Sequence, residues 1–597
     1  MSGFRVPRRD QQFLVHQLFD FATQYQQFRN REVPSIELID AILDESAKFS
    51  EQVLYPLNAS GDQQGCRLED GRVIAPDGFA EAYQKYIEGG WASLPGEPEY
   101  GGQGLPYSLN LLCTEMRTTA NHAWDMYPGL SHGAISALQA HGSDEQKALY
   151  LSKLLSGHWT GTMCLTEPHA GSDVGMLRTR AEPEADGSYR ISGTKIFISA
   201  GEHDLAENIV HLVLARLPDA PPGTKGVSLF IVPRHLPDSD GNPGPRNAVH
   251  CGRLENKMGI HGNATCELHF EGATGYMVGA PNKGMRAMFT MMNTARIAVG
   301  VQGMGNAEAA YQQALAYARE RLQMRSLTGP KNPDGPADPI LVHPDVRRML
   351  LWQKAFIEGS RALAYYAALQ GDIAEFGASE DVRATAQARV DFLTPIVKGF
   401  LTEAGLVSVN HAVQVFGGHG FIRETGVEQY VRDCRITLIY EGTTQIQGLD
   451  LLGRKTLLDQ GRTLKGFAED LHKLAVDCRE THSDYADQLN ALSRDWTALT
   501  DFLGERALQN PDEAGAAAVD FLMFSGYALL AYFWVQMSIR AGELLQQTPD
   551  DKFLQGKQAT AAFYMSRMLP QAEAHRQAIL AGGDTLLASA DAAFEDD

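Results

Sequence analysis

Apolar residues in the first quarter of the chain recur at the spacing of an amphipathic helix. They lie three or four positions apart, as in Ile39, Ile42 and Leu43, and this period places them on one helical face. The pattern predicts helices from residue 36 to about residue 156. A stretch rich in glycine and proline at 94–106 predicts a loop within this helical region.

The pattern changes at residue 161 to short alternating or β-branched segments, which predict strands up to about residue 271. The predicted strands include Tyr189–Ser192, Lys195–Ser199, Ile209–Ala215 and Gly226–Val232. Long helical patterns return at Met285, continue to about Gly453 with breaks at 328–339 and 417–420, and resume over 456–597. The predicted fold is therefore mainly α with a central β-domain.

Length and composition agree with a large globular protein. The chain has 597 residues, of which 44% are apolar and 21% charged, so it can bury large cores and is neither disordered nor fibrous. The changes of pattern divide it into an N-terminal segment (1–35), an N-terminal helical domain (36–160), a middle β-domain (161–280), a C-terminal helical domain (281–455) and an additional helical domain (456–597).

The charge balance argues against nucleic acid as a partner. The chain carries 52 Lys and Arg against 73 Asp and Glu, a formal charge of −21. Residues 456–597 hold 11 basic and 22 acidic residues, and phosphate backbones bind basic surfaces. We expect this last region to present an acidic, solvated surface.

Cysteine usage and the longest apolar run favour a cytoplasmic location. Seven cysteines are widely spaced without a Cys-x-x-Cys pair, so neither a metal site nor a disulfide framework is predicted. The N-terminus has no apolar segment typical of a secretion signal. The run Phe521–Val535 falls short of the ~20 residues of a spanning helix, so no integral membrane segment is predicted. We interpret the run as a buried core helix, and the alternative is a patch that contacts a membrane surface.

Three segments combine small residues with polar ones in the way that ligand sites do. MCLTEPHAGSD (Met163–Asp173) and GTKIFISAG (Gly193–Gly201) offer backbone N–H groups, hydroxyls and the aromatic ring of Phe197 to a polar, planar ligand. In QVFGGHGF (Gln414–Phe421), paired glycines allow the main chain to approach a bulky anion such as a pyrophosphate. Each segment alone is weak support for a site.

The fourth segment, IYEGTTQIQ (Ile439–Gln447), contains a lone carboxylate, Glu441, among apolar and aromatic residues. Partial desolvation should raise the pKa of Glu441 towards neutrality, which suits a general base. Taken alone, the segment is more typical of an ordinary surface glutamate before a glycine turn. Only the four segments taken together favour a general base at Glu441 over a surface glutamate.

In this combination and order, the segments resemble the acyl-CoA dehydrogenase family of flavoproteins over roughly residues 40–455. The resemblance implies a helical domain, a β-barrel-like middle domain and a four-helix domain, followed here by a C-terminal helical extension. It also implies FAD as cofactor and a saturated acyl-CoA thioester as substrate. Glu441 then removes the α-proton while hydride leaves the β-carbon for flavin N5, giving the trans-2-enoyl-CoA.

The resemblance also implies roles for further residues. Met163, Thr166, Phe197 and Ser199 match flavin contacts, and Arg321, Thr443 and Gln445 match contacts to the diphosphate half of FAD. Gln414 and Gly418 match cofactor contacts made across a subunit boundary, while Ser172, Asn293, Arg296 and Gly442 match substrate contacts. One branch of the family carries its base immediately before the position of Arg296. Ala295 stands there in this chain, so Glu441 is the base candidate.

The size of the chain implies the larger members of the family, of about 600 residues. This group is similar to both fatty acyl-CoA and 3-methylthiopropanoyl-CoA dehydrogenases, and its extra helices imply a homodimer. We expect an electron-transfer flavoprotein as acceptor. The alternatives are an acyl-CoA oxidase that uses oxygen and, from another class, a DNA-binding flavoprotein relative, which the acidic C-terminal region opposes.

Overall fold

The computed structural model describes residues 3–29, 31, 33–587 and 591–595. By its internal contacts the chain forms two compact units. The first comprises Arg31–Ala298, and the second comprises Met1–Asn30 together with Val299–Asp597. The second unit is thus discontinuous in sequence, whereas the predicted division into five segments stays a prediction.

The unit Arg31–Ala298 begins with helices and continues with strands. Its helices are Ile36–Phe49, Ser50–Leu54, Pro56–Gln64, Phe79–Glu88, Tyr107–Ala120, His122–His141 and Asp144–Leu155, with short 3₁₀ turns at Trp91–Ser93, Pro98–Tyr100, Val174–Met176 and Gly223–Gly226. Two small hairpins accompany them, Arg67–Glu69 with Arg72–Ile74 and His235–Pro237 with Pro243–Arg246. The sequence pattern predicted neither hairpin.

The central sheet of this unit has seven strands. They are Trp159–Cys164, Arg180–Pro183, Tyr189–Ser199, Asn208–Arg216, Val227–Pro233, Val249–Leu254 and Thr265–Val278. Strand Thr265–Val278 pairs with Tyr189–Ser199, which pairs through Arg180–Pro183 with Asn208–Arg216. Strand Val227–Pro233 joins Asn208–Arg216 back to Thr265–Val278. These pairings close a five-stranded ring, which confirms a barrel-like β-domain.

Strand Asn208–Arg216 is buried along nearly its whole length because its two faces contribute to different cores. Leu212 and Leu214 pack with the helices His122–His141 and Asp144–Leu155. Val213 and Ala215 pack with apolar residues of the other strands. Side chains alternate between the faces of a strand, so two-sided burial produces the continuous apolar run seen in the sequence.

The described residues of the second unit form helices, apart from connecting loops and an irregular segment at 321–339 that contains the bridge between Leu322 and Pro339. Its longer helices are the C-terminal part of Gly284–Glu320, then Pro344–Phe376, Glu380–Phe416, Arg462–Cys478, Ser483–Gln509, Asp512–Leu545, Lys552–Phe563 and Gln571–Ala581. Its shorter helices and turns are Arg8–Gln12, Phe13–Leu18, Phe21–Tyr25, Ile340–Val342, Gly417–Phe421, Arg423–Thr425, Glu428–Arg435, Ile436–Leu438, Thr444–Leu449, Asp450–Leu457, Tyr564–Met568, Asp584–Leu587 and Asp591–Phe594. The mainly α fold with a central β-domain is therefore confirmed.

Within the described residues, two helical segments are long and apolar enough to cross a membrane, Glu380–Phe421 and Asp512–Leu545. Their most apolar windows are 83% and 72% buried inside the protein. In the second helix, Trp534 is fully buried and donates a hydrogen bond from Nε1 to the Ala355 carbonyl at 2.9 Å. These contacts are those of a core helix, as the sequence predicts for Phe521–Val535.

A buried ionic cluster joins the N-terminal segment to the C-terminal region inside the second unit. Its members are Asp10, Glu308, Lys354, Glu358, Arg361 and Lys557, three acids and three bases. Asp10 accepts hydrogen bonds from both Arg361 and Lys557. Lys557 also donates to Glu358 at 2.9 Å, and Arg361 donates to Glu308 at 2.7 Å. The cluster carries no net charge, so its members can share the interior.

We predict that Asp10→Asn lowers the free energy of unfolding by about 3–5 kcal/mol, because it leaves the buried cluster with one positive charge that no acid compensates. Burial by itself would raise the pKa of Asp10, but the Lys557 and Arg361 charges outweigh it and hold that pKa below its ordinary value near 3.8. The stabilisation is therefore present above that pH and is lost as the pH falls through the depressed pKa.

Urea unfolding followed by circular dichroism measures the effect of Asp10→Asn. The matched control is Asp345→Asn, since Asp345 pairs with Arg348 on the surface with its side chain 71% exposed, and such pairs contribute little. Equal losses in the two variants at pH 7, or a loss for Asp10→Asn that does not shrink as the pH falls through the depressed pKa of Asp10, would contradict the assigned role of the cluster.

Candidate active site

In the unit Arg31–Ala298, two of the predicted ligand segments lie side by side. The first follows strand Trp159–Cys164, in which Met163 is buried. The Thr166 carbonyl accepts a hydrogen bond from the Ile196 N–H at 3.0 Å. This contact joins the segment to the strand that carries Phe197, so the structure brings together residues that the sequence places about thirty positions apart.

A buried ion pair holds the two segments in place. Lys195 is fully buried and donates to Glu167 at 2.8 Å and to the Leu165 carbonyl at 2.9 Å. Glu167 also accepts from the Arg178 N–H at 2.7 Å, from the Thr179 N–H at 3.0 Å and from the Thr179 hydroxyl at 2.6 Å. Burial would raise the pKa of Glu167, but the Lys195 charge and these hydrogen bonds hold it below its usual value.

Phe197 presents its ring to solvent from a strained position. Its φ is 60°, in the left-handed region, and 60% of its surface is exposed. The strand register shifts there, so that Ile196 and Phe197 together lie opposite Glu267 in a β-bulge. A left-handed non-glycine residue costs about 1–3 kcal/mol and is frequent at functional sites. The bulge therefore holds an aromatic face outward.

The other predicted site residues of this unit differ in how far they are exposed to solvent. Ser199 is half-buried at the end of its strand, and Ser172 is exposed in the segment after Thr166. On helix Gly284–Glu320, Arg296 is 5% exposed and Ala295 packs against the core. The side chain of Asn293 lies outside the described residues.

In the second unit, Glu441 stands on a turn between Ile436–Leu438 and the helix Thr444–Leu449. Its φ is 56°, and that of Gly442 is 94°, so two consecutive residues are left-handed. The glutamate is half-buried. A left-handed non-glycine residue is costly, and the neighbouring side chains hold the turn in this form.

Two buried side chains contact the carbonyls of the turn. Lys398 donates to the Gly442 carbonyl at 2.6 Å, and Gln447 Nε2 donates to the Glu441 carbonyl at 3.0 Å. Thr443 is the N-cap of the following helix, with its hydroxyl 3.5 Å from the Ile446 N–H. Gln445, two residues after Thr443, is exposed.

Tyr440 holds the other side of the same turn. Its hydroxyl donates to the Gln302 side chain. Desolvation and then the nearby charge of Glu441 raise the pKa of Tyr440 well above its ordinary value, so the phenol stays protonated and remains a hydrogen-bond donor.

Three of the residues matched to the cofactor lie close together at two helix ends of this unit. They are Arg321, matched to the diphosphate half of FAD, and Gln414 and Gly418, matched to cofactor contacts across a subunit boundary. Tyr317 stacks on Phe416 with ring centroids 4.3 Å apart, and its hydroxyl lies 3.4 Å from His419 Nδ1. Because the Arg321 N–H donates to the Tyr317 carbonyl at 2.8 Å, the arginine is joined through Tyr317 to the glycine-rich segment.

Sequence reasoning missed the buried residues that hold these segments. Three of them, Glu167, Lys195 and Gln447, lie inside the quoted motifs. A polar side chain in a segment that packs inward was the sequence signal that could have identified them as buried supports. Lys398 is the one charged residue between Phe392 and Thr402 in a largely apolar stretch, and a cation in such a stretch requires a buried partner.

Comparisons with known proteins agree along the whole chain. Models of the acyl-CoA dehydrogenase N-terminal, middle and C-terminal domains match residues 38–158, 162–273 and 282–455. A model described as acetyl-CoA dehydrogenase C-terminal like matches residues 464–590.

Two relatives and one solved structure are similar over most of the chain. A 3-methylmercaptopropionyl-CoA dehydrogenase of Ruegeria pomeroyi is 45% identical over 590 residues, covering 98% of this chain and 99% of that protein. A butyryl-CoA dehydrogenase of Syntrophomonas wolfei is 34% identical, with 95% of each chain covered. The structure of an acyl-CoA dehydrogenase from Bacillus anthracis complexed with FAD has the same fold, with a TM-score of 0.74 over 95% of this chain and 91% of that one at 22% identity. The chain therefore belongs to the acyl-CoA dehydrogenase family and is an oxidoreductase.

Proposed function

We propose that the protein is an FAD-dependent dehydrogenase that converts a saturated acyl-CoA thioester to the trans-2-enoyl-CoA, with Glu441 as the base that removes the α-proton. The observation that carries this proposal is a half-buried glutamate on a turn of two left-handed residues whose carbonyls are bound from inside. Such a turn fixes the direction of the carboxylate, which proton abstraction from carbon requires.

The residues matched to FAD fit that cofactor chemically. Phe197 offers an exposed aromatic face beside the Thr166 segment, which suits a planar ring system. A Cβ added at Gly417 or Gly418 would meet no atom within 4 Å, so this segment is open to a bulky group. Arg321 supplies the fixed charge that a phosphate binds. When bound, FAD is the oxidant that accepts the hydrogen lost from the β-carbon.

The chain supplies the base and the contacts around it. Glu441 takes the α-proton. We assign the flavin contacts to Met163, Thr166, Phe197 and Ser199, and the diphosphate contacts to Arg321, Thr443 and Gln445. Ser172, Asn293, Arg296 and Gly442 are assigned to the acyl-CoA, and Gln414 and Gly418 to the cofactor of a second copy in a homodimer.

For the acyl group, we propose a short chain with sulfur beside the β-carbon. The Ruegeria pomeroyi relative, at 45% identity, is named for 3-methylmercaptopropionyl-CoA. The Syntrophomonas wolfei relative, at 34%, is named for butyryl-CoA. Both are short acyl groups, and the greater identity favours the sulfur-containing one.

We predict that Glu441→Gln lowers the rate of acyl-CoA-dependent flavin reduction by at least about a thousandfold, because the amide cannot accept the α-proton. The variant should keep its flavin and its thermal unfolding midpoint. Single-turnover absorbance of the flavin measures the rate. The matched control is Glu424→Gln, an exposed glutamate in the turn Arg423–Thr425, which should retain full activity. Retained activity in Glu441→Gln would refute its assignment as the base.

The substrate proposal predicts an order of kcat/KM among acyl-CoA esters. Pentanoyl-CoA is the matched control for 3-methylmercaptopropionyl-CoA, since a methylene replaces the sulfur in a chain of equal length. We expect the sulfur ester to exceed pentanoyl-CoA by about threefold, because thioether sulfur is more polarisable than methylene. Dodecanoyl-CoA should be at least roughly tenfold poorer, since extra methylenes must fit the same pocket. A preference for dodecanoyl-CoA would contradict the assignment.

We propose an electron-transfer flavoprotein as the physiological acceptor. The relatives described above are named dehydrogenases, which supports an acceptor other than oxygen. Turnover in air with a dye acceptor should therefore yield little hydrogen peroxide per enoyl-CoA formed. A peroxide yield close to one per turnover would identify an acyl-CoA oxidase instead. A peroxidase-coupled assay measures this ratio directly.

A further inference from the structure

Two fully buried polar side chains reach the Glu441 turn from inside the second unit. Lys398 lies in the middle of helix Glu380–Phe416 and donates to the Gly442 carbonyl at 2.6 Å. Gln447 lies in helix Thr444–Leu449 and donates to the Glu441 carbonyl at 3.0 Å and to the Gly442 carbonyl at 3.4 Å. The two side chains thus bind the carbonyls of two successive peptides, the one between Glu441 and Gly442 and the one between Gly442 and Thr443.

These contacts fix the orientation of two successive peptide planes. In a trans peptide the C=O and the following N–H point in opposite directions, and no described peptide of the chain is cis. Directing the Glu441 and Gly442 carbonyls towards Gln447 and Lys398 therefore turns the N–H groups of Gly442 and Thr443 the other way. The orientation of these planes sets ψ of Glu441, and with it the direction in which its side chain leaves the main chain.

Packing allows little freedom in this arrangement. A Cβ added at Gly442 would lie 2.6 Å from Gln447 Nε2, and one added at Gly399 would lie 3.3 Å from Gln447 Cβ. Behind them, a Cβ at Gly399 would lie 2.7 Å from Leu522 Cδ1, and one at Gly448 would lie 2.6 Å from the Ala518 carbonyl. The helix Asp512–Leu545 of the C-terminal region therefore supports the elements that carry Lys398 and Gln447.

A buried cation is a costly way to fill this space. An ammonium group loses its hydration in the interior, and an apolar side chain of similar volume avoids that loss. The contact with the Gly442 carbonyl gives the cation a specific use, since a charged donor makes a stronger hydrogen bond than a neutral one.

We propose that Lys398 and Gln447 are positioning residues that aim the Glu441 carboxylate at the α-carbon of the acyl-CoA. Neither residue touches substrate in this proposal, and both act through the main chain of the turn. The inference rests on the proposed function, because it assigns how the base of that reaction is oriented. It also gives the C-terminal region a role in catalysis as the support behind the turn.

The variants Lys398→Met, Lys398→Gln and Gln447→Leu test this inference in the full-length, FAD-loaded protein. Methionine removes both the donor and the charge, glutamine restores a neutral donor, and leucine removes the amide that binds Glu441. We expect Lys398→Met and Gln447→Leu to lower kcat by about a hundredfold, the loss typical of a misplaced catalytic group. KM and flavin content should stay within about threefold of wild type, since substrate binding is not removed.

The conservative variant and a control on the same helix separate positioning from folding. Lys398→Gln should recover about tenfold of the rate lost in Lys398→Met, because a donor to the Gly442 carbonyl is restored. Ser408→Ala removes a buried hydroxyl of the same helix without touching the turn and should leave kcat unchanged. If Lys398→Met does not fold, kcat of Lys398→Gln is compared with kcat of Gln447→Leu, and the variant that keeps a donor to the turn should be the faster one.

A second readout isolates proton removal. An acyl-CoA ester whose β-carbon carries no hydrogen can lose only its α-proton, so exchange of the α-hydrogens in D₂O reports on Glu441 alone. Exchange should slow in Lys398→Met and Gln447→Leu in parallel with kcat. Wild-type exchange and kcat in both variants, or losses that appear only together with lost flavin and lowered thermal stability, would overturn the inference.

The failure of the proposed function would look different. In that case the wild-type protein itself would show neither α-hydrogen exchange nor flavin reduction with any acyl-CoA. An active wild type that is inactive as Glu441→Gln but unaffected by Lys398→Met and Gln447→Leu would keep the proposed function and refute the positioning roles.

Discussion

The conformation of the peptide between Glu441 and Gly442 is the constraint on which the proposed chemistry depends. A base that removes a proton from carbon needs a fixed direction as well as a suitable pKa. Two left-handed residues in succession provide that direction only if the surrounding structure opposes their relaxation. Lys398, Gln447 and the Tyr440–Gln302 contact do so, so the interior of the helical unit determines the geometry of a half-buried residue.

The β-domain uses a similar arrangement. Phe197 is held at a positive φ on a bulge, and the buried pair of Glu167 and Lys195 ties the neighbouring loop to the same strand. A buried pair of this kind is weak support for net stability, because desolvation offsets much of the attraction. Its use here is geometric, since it determines where the ligand segment runs. In both units, a buried charge next to a strained residue marks the candidate site.

Periodicity and turn chemistry predicted much of the fold because they report on local burial. The strands Asn208–Arg216 and Val227–Pro233 differ from their predicted limits by one residue at each end. The predicted β-region ends at about residue 271, inside the long strand Thr265–Val278, and the pattern does not delimit this strand because its polar residues and glycines interrupt the alternation. Pairing with three other strands, which is not local, stabilises it. Glu441 could be singled out by its motif, whereas Lys398 lies 43 positions earlier and reaches the turn only through tertiary packing.

The ionic cluster that includes Asp10 and Lys557 has a consequence for biosynthesis. These two residues are 547 positions apart. They belong to the same compact unit, and the whole of Arg31–Ala298 lies between its two parts in the sequence. Chains emerge from the ribosome N-terminus first. The unit Arg31–Ala298 is therefore fully synthesised before Arg361 and Lys557, the residues that pair with Asp10. The helical unit that carries Glu441 must therefore reach its final form after translation has passed residue 557, and a nascent chain stalled before that point would lack one of the two cations that pair with Asp10.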